Sequence, residues 1–68
     1  MTKQEAIKFA IRSFDSALAD QDSFASFEQA LDCYRDNIRD TLCDCGCAEF
    51  EDAAWAEFDA QVAKHNQK

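Results

Sequence analysis

The absence of proline and the presence of a single glycine, Gly46, constrain the fold of this chain more than any other feature. Folds built from short strands and hairpins need many turns, in which glycine and proline supply special backbone angles. A sequence dominated by Ala, Glu, Gln, Leu, Phe and Asp instead favours the α-helix. Its 68 residues allow one domain with one small core, whose stability is marginal.

Apolar residues with helical spacing predict three helices, at about residues 3–20, 27–43 and 48–64. The row in the first helix consists of Ile7, Ile11, Phe14 and Leu18. The row in the second helix consists of Phe27, Leu31, Tyr34, Ile38 and Leu42. Thr2 with Glu5 predicts a capping box at the start of the first helix, and Ser26 with Gln29 predicts one at the second.

The third helix has two apolar faces. Its large face consists of Ala54, Trp55, Phe58 and Val62, and its small face of Ala53, Ala56, Ala60 and Ala63. The small face would let another helix approach closely, either within the chain or in a homodimer. The sequence therefore predicts a single all-α domain over residues 1–68. It is a small antiparallel three-helix bundle, or a helical hairpin plus a third helix that dimerisation completes.

The charge of the chain narrows the classes of partner. The net charge is -7, and residues 13–63 hold thirteen acidic residues against two arginines. Direct binding to nucleic acid or to an anionic membrane needs the opposite sign. Since the sequence shows neither a signal-peptide pattern nor an apolar run long enough to span a bilayer, we expect a cytoplasmic protein. The partner that this charge predicts is a protein with a basic surface.

The second helix carries a regular series of carboxylates, which we call the acidic row: Asp32, Asp36, Asp40 and Asp44. Carboxylates at intervals of ~6 Å can imitate a phosphate backbone and occupy a basic nucleic-acid channel. The alternative is an ordinary solvated face, on which Arg35 and Arg39 partly neutralise the aspartates three positions before them. The row therefore indicates either a docking surface or simple solubility.

Two aromatic residues are candidate anchors for a partner. Phe9 lies about half a turn away from the apolar row of its helix, among polar neighbours, and Trp55 lies at the edge of its apolar face. Aromatic side chains ringed by charge are frequent anchors of protein interfaces. Catalysis is not expected, because the single histidine, His65, has no nucleophile or base near it in the predicted fold.

Three cysteines alternate with other residues after the second helix, at Cys43, Cys45 and Cys47. Three thiolates could bind Zn(II) or Cu(I) with an external fourth ligand. The fourth thiol, Cys33, lies ~15 Å away along a continuous helix and cannot complete a closed site. The competing interpretation is a turn, in which Gly46 supplies a positive φ and small cysteines pack beside it. No cofactor is therefore expected, with zinc or copper as the alternative.

These patterns predict a small acidic, non-enzymatic protein-binding module. We expect a regulator or inhibitor that docks on a basic, nucleic-acid-binding surface of a target, as a nucleic-acid mimic does. Its size and acidity suit a phage-type antagonist of a host system. The predicted contacts are the acidic row with Phe9 and Trp55, and the alternative is a metal-binding helical module centred on Cys43, Cys45 and Cys47.

Overall fold

The chain folds as an all-α three-helix bundle, as the sequence predicts. A computed structural model describes residues 2–67, in which the elements are α1 (Lys3–Asp20), a 3₁₀ turn (Gln21–Ser23), α2 (Phe27–Asp44), a second 3₁₀ turn (Ala48–Phe50) and α3 (Glu51–Asn66). Strands do not occur in that range. Within it, each helix is too short or too polar to cross a membrane.

The starts of α1 and α2 follow from local capping chemistry. The Thr2 hydroxyl accepts from the backbone N–H of Glu5 (3.2 Å), and Glu5 Oε1 accepts from the N–H of Thr2 (2.9 Å), which confirms the predicted capping box. The Ser26 hydroxyl likewise accepts from the N–H of Gln29 at 3.2 Å. The side chain of Gln29 reaches back one residue further than predicted, to the N–H of Ala25 at 3.0 Å.

The buried face of α1 differs from the predicted one. Of the predicted row, only Phe14 is buried, and the other three members, Ile7, Ile11 and Leu18, are half-buried. The buried residues of α1 are Ala6, Ala10, Ser13, Phe14 and Ala17. Relative to the prediction, α1 is rotated by about 90° about its axis, because it packs against α2 on one side and α3 on the other. Small residues face the centre, where the larger side chains of the other helices need room.

The centre of the core is occupied by three fully buried side chains, Ile38, Leu42 and Phe58. Phe14 of α1 packs edge-on against Phe58, with ring centroids 6.0 Å apart. The predicted row of α2 is confirmed, since Leu31, Ile38 and Leu42 are buried while Phe27 and Tyr34 are half-buried against the core. All three helices therefore contribute to one hydrophobic core within a single chain.

The third helix begins three residues later than predicted, at Glu51, because the 3₁₀ turn precedes it, and it extends to Asn66. Its large face is the inner one, with Ala54 and Phe58 buried. The small face points outward: Ala53 is half-buried, and Ala56, Ala60 and Ala63 are exposed. The close approach between helices is thus made over the alanines of α1, and the small face of α3 is not used inside the chain.

The turn after α2 confirms the role predicted for Gly46. Its φ is 71°, in the region that only glycine enters readily. The N–H of Cys47 donates to the carbonyl of Leu42 (2.8 Å), and the N–H of Gly46 donates to the carbonyl of Cys43 (3.1 Å). This pair of bonds is a Schellman motif, which ends the helix and brings the following residue back onto it. Cys47 is accordingly buried in the core.

Candidate binding surfaces

The acidic row lies on the solvent side of α2, and all four of its carboxylates are exposed. The opposite side of the same helix holds Ile38 and Leu42, which are fully buried. Residues four apart are offset by ~6 Å along the axis and by about 40° around it, so the row winds slowly around α2 over ~18 Å. Four carboxylates are therefore presented on a rigid, regularly spaced scaffold.

The charge of the acidic row is less neutralised than the sequence predicts. Arg35 turns away from Asp32, and its Nη2 donates to Oδ1 of Asp59 on α3. The Arg35 guanidinium also lies 5.4 Å from the centroid of the Phe58 ring, a favourable cation–π distance. Because Arg35 pairs with Asp59, Arg39, which is exposed, is the remaining cation on the outer side of α2.

Charge is distributed unevenly over the three helices. Three acidic and three basic side chains balance each other on α1, whereas α2 has five acids against two arginines and α3 has four acids against one lysine. The acidity of the protein is therefore a property of the α2 and α3 side. Three of the seven basic residues of the chain, Lys3, Lys8 and Arg12, lie on α1.

Trp55 lies where α2 and α3 meet. Its indole Nε1 donates to the backbone carbonyl of Arg35 at 3.2 Å, and its ring is half-buried against the core. The hydrogen bond fixes the orientation of the indole and ties it to α2. Trp55 is thus held in place by α2 while part of its side chain remains exposed to solvent.

Phe9 is half-buried and packs against the core, so it is less exposed than its polar neighbours in the sequence suggest. It lies in an open groove of about 580 Å³ between α1 and α2. The groove is lined by Glu5, Lys8, Phe9, Arg12, Ser13, Ser16, Tyr34 and Asn37. Sequence reasoning identified Phe9 but not the groove, because two separate helices build it.

Tyr34 closes the α2 side of this groove. Its hydroxyl donates to Oδ2 of Asp20 at 2.6 Å, which ties the middle of α2 to the end of α1. The bond to the Asp20 carboxylate raises the pKa of the Tyr34 phenol above its ordinary value, because ionisation would remove the donated proton. The hydrogen bond to Asp20 therefore fixes the Tyr34 ring, which lines the groove.

The cysteines occupy two different environments. Cys33, Cys43 and Cys45 are exposed thiols, whereas the thiol of Cys47 is buried and donates to the carbonyl of Cys45 at 3.5 Å. Across residues 2–67, groups of three or more His, Cys, Asp or Glu side chains with a metal-binding arrangement do not occur. The zinc or copper site over Cys43, Cys45 and Cys47 stays a prediction of the sequence.

His65 lies in a more ordered place than its position near the end of the chain suggests. Its ring packs against Phe14 (6.0 Å between centroids) and Phe27 (5.4 Å). These contacts connect the last turn of α3 to both other helices. The spacing of His65 from Phe58, seven residues earlier, is the sequence signal for this inward position.

Comparison of the chain with protein-family models, with curated proteins and with solved structures finds no match.

Proposed function

We propose that this protein is a small acidic, non-enzymatic binding module that docks the acidic row of α2 onto a basic, nucleic-acid-binding surface of a target protein. The observation that carries the proposal is the exposure of all four carboxylates on one rigid helix, with Arg35 engaged elsewhere by Asp59. By covering such a surface, the protein would compete with nucleic acid and inhibit its target.

The arrangement of the row suits this role in two ways. Carboxylates accept charge-assisted hydrogen bonds from arginine, often in bidentate geometry, and arginine and lysine dominate nucleic-acid-binding surfaces. The row is also pre-organised, because Ile38 and Leu42 anchor α2 in the core and fix its outer face. Pre-organisation lowers the entropy lost on binding. Complementary charge additionally accelerates association, an effect that salt weakens.

Two aromatic side chains flank α2 and supply apolar contacts. Trp55 borders it on the side of α3, through its bond to Arg35, and Phe9 borders it on the side of α1. A target that covers the acidic row would also reach one of these rings. Half-buried aromatic residues next to charges are favourable anchors, because they bury a large apolar area without a large loss of side-chain entropy.

The experiment compares two double charge reversals that both change the net charge from -7 to -3. Asp36→Lys with Asp40→Lys alters the row, and Asp15→Lys with Asp22→Lys alters exposed positions on α1 and the following turn. The wild-type protein, immobilised, is used to capture its target from a native extract, and the captured protein is then purified. Its affinity for each variant is measured at low and high salt, with and without nucleic acid.

We expect the row variant to lose target binding, the control variant to retain most of it, and nucleic acid to displace the wild-type protein. Affinity should fall as salt rises. Equal loss in both variants would mean that only net charge matters. Unchanged binding in the row variant, or an affinity independent of salt, would contradict the proposal.

A further inference from the structure

The groove between α1 and α2 has a charge opposite to that of the rest of the molecule. Lys8 and Arg12 lie one helical turn apart on its α1 side, both exposed and without an ion-pair partner among residues 2–67. The groove has one acid, Glu5, at its beginning. The Glu5 carboxylate accepts from the N–H of Thr2, and the Glu5 N–H donates to the Thr2 hydroxyl. Hydrogen bonds with Thr2 lower the pKa of Glu5, so its carboxylate stays charged, and the nearby Lys8 contributes to the same shift. The lining residues therefore carry two positive charges and one negative charge, a small net positive charge on a strongly acidic molecule.

Ser13 supplies an unused hydrogen-bonding group inside the groove. The residue is only 4% exposed, and its hydroxyl has no hydrogen-bond partner among residues 2–67. In the same range, every side-chain nitrogen or oxygen that is fully shielded from solvent does have a partner. The hydroxyl of Ser13 must therefore reach the groove surface, where it can donate and accept. The hydroxyl can therefore bond to water or to a polar group that enters the groove.

The remaining walls combine apolar area with further polar groups. Phe9 is half-buried between the two helices, and the ring of Tyr34 is held in place by its bond to Asp20. The exposed amide of Asn37 lies on the α2 side and the hydroxyl of Ser16 at the far end. Along α1 the groove extends from Glu5 to Ser16, which corresponds to ~16 Å of helix. That length matches about five residues of extended chain.

We propose that this groove binds an acidic segment of a partner protein. The segment places an apolar or aromatic side chain against Phe9 and Tyr34 and a carboxylate between Lys8 and Arg12. The hydroxyl of Ser13 and the amide of Asn37 bond to its backbone. The inference rests on the proposed function as a binding module and adds a second contact of opposite sign, next to the acidic row.

Charge and shape select this occupant. Lys8 and Arg12 make no ion pair among residues 2–67, so they favour an anionic occupant. A segment from the basic surface of the target would be repelled by them. The groove is open along its length, and a small molecule in it would keep much of its surface in water, unlike a ligand in an enclosed pocket. An extended peptide segment fits an open groove better.

The test is a titration of the isotopically labelled full chain, followed by NMR, with the peptide acetyl-Glu-Phe-Asp-Leu-Glu-amide. The comparison ligands are the same peptide with its acids replaced by amides, and phenylacetate as a free aromatic carboxylate. Lys8→Gln with Arg12→Gln removes the groove cations. Lys3→Gln with Lys64→Gln is the matched control, because it removes the same charge at exposed positions outside the groove.

We expect shifts at Phe9, Ser13 and Asn37 with the acidic peptide, and a Kd about fivefold weaker in the groove variant than in the control variant. Equal binding of the amide peptide, equal weakening in both variants, or no shifts at millimolar peptide would overturn the proposal. Binding of phenylacetate as tight as that of the peptide would also overturn it, in favour of a small-molecule site. A protein that ignores the peptide yet captures its target through the acidic row would refute the groove contact and leave the proposed function intact.

Discussion

Two rows of alanine, each at helical spacing, end up in opposite environments. The row on α1 is fully buried and consists of Ala6, Ala10 and Ala17. The row on α3 is exposed and consists of Ala56, Ala60 and Ala63. Alanine at helical spacing therefore permits close approach but does not cause it. The difference must come from the larger side chains beside each row.

On α3 the orientation is decided by Phe58, which lies on the other side of the helix from the exposed alanines. Burying an aromatic ring removes about 150–250 Å² from water, far more than a methyl group does. On α1 the alanines lie beside Phe14, between the two neighbouring helices, and leave space for Ile38, Leu42 and Phe58. A small residue is buried where a large one from another helix needs room.

The largest expected effect comes from removing the side chain that orients α3. Phe58→Ala should lower the free energy of unfolding by about 3–5 kcal/mol, which is comparable to the whole stability of such a small domain. Urea titration followed by circular dichroism measures this loss. Phe58→Leu keeps most of the volume and should remain folded. A loss for Phe58→Ala no larger than that for Phe50→Ala, at a half-buried position, would contradict the role given to Phe58.

The two alanine rows can be compared directly by enlarging one residue in each. Ala10→Leu should destabilise the protein by about 1–3 kcal/mol, because the added carbons have no space at a fully buried position. Ala60→Leu, on the exposed row, should change the free energy of unfolding by less than about 0.5 kcal/mol. Urea titration of both variants gives the two values. Similar losses would show that the α3 row is covered in solution, as a dimer through this face would require.

A smaller effect separates the starts of the two helices. α1 has the Thr2–Glu5 capping box, whereas the residue before α3, Phe50, provides no side-chain cap. Because hydrogen bonds from Thr2 hold the pKa of Glu5 below 4.5, the box contributes stability above that pH. The contribution is lost as the pH falls through the pKa of Glu5 in the folded protein.

We therefore expect amide exchange in the first turn of α1 to accelerate as the pH falls below about 4.5, after correction for the intrinsic rate. Glu5→Gln provides the control, since glutamine can occupy the same position in a capping box but does not titrate. Hydrogen exchange measured by NMR resolves the first turn from the rest of the helix. The same acceleration in Glu5→Gln would assign the effect to other carboxylates.

Local chemistry made the helix ends predictable. Thr2, Ser26 and Gly46 act on backbone groups within a few residues of themselves, so their roles can be read from the sequence. The exposure of the acidic row was also predictable, because those residues lie opposite the apolar row of α2. When a helix has one apolar face and one charged face, the charged face is expected to be exposed to solvent.

Features that depend on a second helix were not predictable in the same way. The rotation of α1 depends on how α2 and α3 fit around it, and a single helical pattern does not contain that information. Arg35 was expected to neutralise Asp32, but its partner is Asp59, 24 residues away in the sequence. The groove between α1 and α2 has the same origin. Its α1 side, from Glu5 to Ser16, follows helical spacing, but Tyr34 and Asn37 on its α2 side come from positions up to 32 residues away in the sequence.

The end of α2 at Gly46 also gives the acidic row a direction. The aligned peptide dipoles of a helix place about half a negative charge at its C-terminus, and the last turn of α2 contains no basic residue to offset it. The negative potential should therefore increase along the row from Asp32 towards Asp44. A basic surface that meets α2 would experience a gradient and not a uniform stripe. Such a gradient favours one orientation of the docked helix over its reverse.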